Sequence, residues 1–73
     1  TAERYRWDQL RLWRAKTAKE HGVPAYVIFH DATLHELVRL CPQTEDELRL
    51  VTGIGARKLD KYGNHLIEIL RGC

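Results

Sequence analysis

The stretch VTGIGARKLDKYG, residues 51–63, constrains this chain most. An amphipathic segment ends at Thr52, two glycines bracket Ile54, and a new helical pattern begins at Ala56. Glycine reaches backbone conformations that cost other residues free energy, and it leaves its N–H unobstructed. The first N–H groups of a helix lack internal partners and lie at the positive end of its dipole. A glycine turn feeding a helix start therefore suits an anion, and Arg57, Lys58 and Lys61 follow directly behind it. The same residues also suit a plain helix-to-helix turn with solvated cations. The motif alone leaves both readings open.

Before this turn, glycine and proline divide the chain into short helical pieces. From Tyr5 to about His21, Leu10, Trp13, Thr17 and Ala18 share one face. Arg14 borders that stripe, placed to lay its stem on the core and pair with a carboxylate. Trp7 and Leu12 fall off the stripe and are candidates for contact with another surface. Residues 1–6 read as a loose end. Gly22 and Pro24 stop the first helix. VPAYVIF, residues 23–29, reads as an ordered connector with at most a short 3₁₀ turn, pinned by Val23, Val27 and Phe29. Tyr26 within it is either a core tyrosine with a satisfied hydroxyl or an exposed ring on which a base can stack.

Asp31 reads as the N-cap of a helix over 32–41, whose Leu34, Leu37, Val38 and Cys41 face the core. Pro42 stops it. Thr44 and Glu47 form a capping-box signature for a helix over 45–51. Glu45, Asp46 and Glu47 fill its first turn, where the dipole favours negative charge and a phosphate would be repelled. Beyond the glycine turn, Leu59, Tyr62, Leu66, Ile69 and Leu70 keep a helical period, and Gly63-Asn64 suggests two helices, 56–62 and 64–71. The expected architecture is an all-α bundle of about five helices in one domain, 1–73.

Composition excludes several classes. A chain of 73 residues supports one small core. With a formal net charge of +2, nucleic-acid binding must come from local clustering of cations. The two cysteines lack zinc-site spacing and offer no disulfide framework, so Cys41 reads as a reduced core residue and Cys73 as a frayed end. The four histidines have no ligating partners at metal spacing and read as surface residues. No Walker loop and no serine of any kind is present, so no catalytic set, metal or cofactor is expected. No run near 18 apolar residues is present, so no membrane association is expected and a reducing compartment is the default. The chain lacks an initiator methionine, and the expectation is a fragment cut from a longer protein.

Four pieces in this order resemble an HRDC domain, the helicase-and-RNase-D C-terminal module: LRLWRAKTAKEHGVPAYVIFHDATL, HELVRLCP, TEDELRLV, and GIGARKLDKYG with the helix after it. The likeness is to the version at the end of bacterial RecQ DNA helicases and spans residues 8–72. It implies a five-helix, non-catalytic module that binds single-stranded or branched DNA and tunes the substrate choice of an ATP-dependent helicase. Tyr26 occupies the place of an aromatic residue that binds single strands in that family. Lys58, Lys61 and Arg57 would share phosphate contacts, and Gly53, Ile54 and Gly55 would donate N–H groups, as in a helix-hairpin-helix turn. The implied setting is a monomeric module in the bacterial cytoplasm, associated with the nucleoid. A second reading is a module that docks on the helicase core or on another protein through Trp7, Leu12, Glu45, Asp46 and Glu47. A third is an RNA-binding module of an RNase D-like enzyme.

Overall fold

The structure is a computed structural model that describes residues 1–71 and 73. Five helices follow in order: α1 (Ala2–His21), α2 (Ala25–Ile28), α3 (Asp31–Leu40), α4 (Glu45–Leu48) and α5 (Ala56–Leu70). The all-α expectation holds, and so does the number of helices, but their membership differs from the sequence reading at two places.

The long first helix starts earlier than expected. Thr1 Oγ1 accepts the N–H of Arg4 at 3.1 Å, a side-chain cap that satisfies one of the unpaired donors of the first turn. The end read as loose over 1–6 is thus helical from Ala2. At the other end Gly22 adopts a left-handed conformation, φ 65° and ψ 35°, as a helix-ending glycine should. Leu10, Arg14, Thr17 and Ala18 are buried, and Trp13 packs on the core from its edge.

The connector is itself a helical turn, α2, entered through Pro24. Ile28 and Phe29 are buried, whereas Val27 is 46% exposed and pins nothing. Asp31 is the first residue of α3 rather than its cap. His30 holds the cap position without a side-chain bond, because the Asp31 carboxylate is turned towards Arg14 instead.

The capping box of α4 forms with one displacement. Thr44 Oγ1 accepts from the Glu47 N–H at 3.2 Å, and the Glu47 carboxylate accepts from the N–H of Gln43 at 3.0 Å, one residue before the cap. The helix then stops at Leu48, and turns carry the chain to Gly53.

The second difference lies in α5, a single helix where two were expected. Gly63 is buried in its middle; a Cβ there would lie 3.1 Å from Leu59 Cδ1 and 3.8 Å from Leu48 Cδ1. This glycine serves the close approach of α4 to α5, not a helix end.

The core joins these faces. Leu10, Phe29, Leu34, Leu37, Leu48, Leu66 and Leu70 are all fully buried. Each such side chain contributes about 1.5–3 kcal/mol by leaving water. The expectation of two unpaired thiols is also corrected. Cys41 and Cys73 are joined as a disulfide, with Cα atoms 6.1 Å apart. Nearby, Gln43 Nε2 donates to the Leu70 carbonyl at 2.7 Å, so the end of α5 is tied to the α3–α4 connection.

The turn before α5 is fixed by α3. Gly53 has φ 94°, and a Cβ there would collide with Thr33 Oγ1, which donates to the Thr52 carbonyl at 3.1 Å. Gly53→Ala combines a left-handed strain with this collision and should destabilise the domain by about 2–3 kcal/mol in urea unfolding. A midpoint equal to wild type would mean that the turn is not seated on Thr33.

Candidate nucleic-acid interface

The first turn of α5 has an unusual electrostatic composition. Gly55 caps it in an extended conformation and offers no side-chain acceptor, and no acidic residue stands in the first turn. Arg57 and Lys58 occupy that turn instead. Cations at the positive end of a helix dipole are unfavourable by a few tenths of a kcal/mol up to about 1 kcal/mol. An anion in front of the turn reverses the sign of that interaction and meets the unpaired N–H groups.

The glycine turn divides its work. The Ile54 N–H donates to the Val51 carbonyl at 3.3 Å, and the Ile54 side chain is buried. Ile54 therefore closes the turn and has no N–H to offer a phosphate, which removes it from the expected donor set. Gly53 and Gly55 are exposed, and among the described residues no carbonyl accepts from either N–H.

Packing brings the connector to this helix start. Lys58 Nζ lies 5.1 Å from the centre of the Phe29 ring, a cation over the face of the residue that ends α2. Arg57, Lys58 and Lys61 line a shallow groove of about 340 Å³ together with Val27 of α2. Tyr26 precedes Val27 on the same turn and is 61% exposed, its ring 6.0 Å from that of His30 and inclined by 26°. Of the two readings of Tyr26, the exposed ring is the one present. It is not part of the groove lining, which its neighbour Val27 joins.

The connector is held in place by Arg14, which is buried and donates to both the Phe29 carbonyl at 3.0 Å and the Asp31 carboxylate at 2.7 Å. This is the carboxylate pairing that its border position suggested. The hydrogen bond from Arg14, with its charge, holds the Asp31 carboxyl below the usual carboxylate range; the more distant cations Arg11 and His35 act the same way.

The acidic turn lies beside α5 as well, at a separate groove. Asp46 pairs with Arg49 at 3.0 Å, and Glu47 is occupied in the capping box. Glu45 shares that groove with Arg49 and with Ala56, Asp60 and Asn64 of α5. The start of α5 thus turns Arg57, Lys58 and Lys61 towards α2 and Asp60 towards Glu45 and Arg49.

The remaining expected residues are not gathered into one surface. Trp7 is half-buried and stacks on His35 of α3, rings 4.2 Å apart and 15° from parallel, with the Arg11 guanidinium 6.0 Å from its ring. Leu12 is 66% exposed beside Ala15 and Ala25. Sequence reasoning overlooked Lys16, His21 and His65, which line a second groove beside Lys61. Their helical positions carried no signal, because they adjoin only once α1 packs on α5.

Comparison with known proteins gives a consistent picture. The HRDC domain profile matches residues 3–70. ATP-dependent DNA helicase UvrD2 of Mycobacterium tuberculosis is 48% identical over 64 residues, which is 88% of this chain and 9% of that protein. ATP-dependent DNA helicase RecQ of Bacillus subtilis is 39% identical over 62 residues, 85% of this chain and 10% of the helicase. The chain thus spans about a tenth of the length of these relatives. Among solved structures, D. radiodurans RecQ HRDC domain 3 superposes with a TM-score of 0.91 at 31% identity, covering 96% of this chain and 92% of the other.

The Arg14–Asp31 pair gives a pH prediction. A carboxyl with a lowered folded-state pKa adds stability that is complete above its unfolded value of about 3.9 and is lost as the pH falls through the folded value. Asp31→Asn should lower stability at pH 7 and lose less between about pH 4 and pH 2 than wild type does. Parallel stability profiles for the two proteins across that range would contradict the pairing.

Proposed function

The chain belongs to the HRDC domain family, and on that premise we propose that it is an accessory nucleic-acid-binding module of an ATP-dependent DNA helicase, RecQ-type in the first instance. It binds single-stranded or branched DNA weakly, as a monomer, and so biases which DNA structure the helicase engages. The motor and its chemistry belong to the parent protein, working at the nucleoid. Both the UvrD2 and RecQ relatives are named as ATP-dependent DNA helicases, which supports a helicase parent.

The observation that carries this reading is that the basic, uncapped start of α5 shares a groove with the connector, which also carries the exposed ring of Tyr26. A phosphate meets Arg57, Lys58, Lys61 and the first N–H groups of α5, while a neighbouring base lies on Tyr26. Nothing in this arrangement reads base edges, so sequence preference should be slight. The acidic flank formed by Glu45 and Asp60 turns the strand towards α2. Binding through Trp7 to a protein partner is disfavoured, since His35 already covers one face of that ring.

Fluorescence anisotropy with labelled single-stranded and forked DNA tests the proposal. The dissociation constant should lie at about 10⁻⁴–10⁻⁶ M and weaken with salt by roughly 0.7 log units per log unit for each phosphate contacted. Stacking on one aromatic ring is worth about 1–3 kcal/mol, so Tyr26→Ala should weaken binding by about fivefold or more without changing the circular dichroism. Full affinity in a folded Tyr26→Ala protein would remove the ring from the site.

A further inference from the structure

Two grooves on this molecule adjoin, and the lining they make together is termed the trough. The groove in front of α2 and a second groove of about 420 Å³ between α1 and α5 share His21, Lys61 and Tyr62. The second groove adds Trp13, Lys16 and His65 to that lining. Its floor is aromatic: Trp13 lies 5.5 Å from Tyr62 in an edge-on arrangement and 6.3 Å from His65 at 30°, with His21 6.4 Å from Tyr62.

Charge is distributed unequally around this trough. The four ion pairs among the described residues are Arg4–Asp8, Arg14–Asp31, Arg39–Glu36 and Arg49–Asp46, and none of their members lines either groove. Lys16, Arg57, Lys58 and Lys61 are the basic side chains of the trough beside its histidines, and Glu20 is its single carboxylate. Adjoining grooves lined by cations and by aromatic side chains suit a polymer of alternating phosphates and bases. A duplex conceals its base faces, whereas a single strand presents them.

We infer that the single strand does not stop at the start of α5 but continues along the α1–α5 groove, where Lys16 and Lys61 hold a phosphate and the Trp13–His65 edge receives a second base. This rests on the proposed DNA-binding reading and extends it, assigning α1 a direct part in binding. The site is open to solvent, so each phosphate contact should add modest, salt-sensitive affinity.

The two tryptophans make the inference measurable. Trp7 stacks on His35 and lines neither groove, whereas Trp13 lies in the trough. In a Trp7→Phe protein the remaining indole reports on the α1–α5 groove alone. Titration with an oligothymidine of about twelve nucleotides, read by anisotropy and by Trp13 emission together, should quench Trp13 along the same isotherm. Lys16→Ala, an exposed substitution, should weaken binding about two- to fivefold and reduce the salt slope by roughly 0.7. Binding by anisotropy with unchanged Trp13 emission, and with wild-type affinity and slope in Lys16→Ala, would overturn the extension while leaving the α5 site standing. No binding by the wild-type chain at low salt would remove both.

Discussion

Phe29 is the joint on which the arrangement depends. Fully buried, it meets Trp13 of α1 at 6.0 Å and Tyr62 of α5 at 5.9 Å, while its carbonyl accepts from Arg14. Aromatic pairs of this kind add about 0.5–1.5 kcal/mol beyond the area they bury. One residue thereby fixes α1, the connector and α5 to one another. With Phe29 in place, Tyr26 is held outward three residues earlier and Lys58 has a ring to lie on. The basic start of α5 and the connector face each other because the core leaves no other position for either.

Electrostatics gives this packing a direction. The net charge of +2 would place the domain among weakly basic proteins, but the average conceals a separation. Several carboxylates are engaged in ion pairs or caps on α1, α3 and α4, and the cations of α5 are left facing solvent on one side. The acidic turn at 45–47 satisfies the start of α4, and Glu45 meets Asp60 of α5 in one groove. In the proposed reading, this separation would favour a phosphate polymer with little discrimination between bases.

Much of the fold was legible because local signals agreed with packing. The stripe through Leu10 and Ala18, the Gly22 stop, Pro42 and the Thr44–Glu47 cap all appear where periodicity and capping chemistry place them. Misreadings arose where a residue answers to a distant partner. Gly63 carries the same local signal whether it ends a helix or admits Leu48, and only the packing of α4 decides. Asp31 suits a cap, yet Arg14, seventeen positions earlier, claims its carboxylate. The cysteine pair spans a separation of 32 residues with no local trace. In the candidate interface, the cations of α5 and Tyr26 could be singled out from the sequence as a motif, and their exposure is what the structure adds. The groove of Trp13, Lys16 and His65 was not, since it exists only between two helices far apart in sequence.

The central claim is that the basic start of α5 and the α2 connector form one DNA-binding surface. It is tested most directly by amide chemical shifts of the ¹⁵N-labelled domain during titration with single-stranded DNA at low salt. The account predicts shifts concentrated at Ala25–Val27 and at Gly55–Lys61, with the Glu45–Leu48 helix and α3 little changed. Saturable shifts centred on α3 and α4 instead, or no shifts from a folded sample, would contradict it.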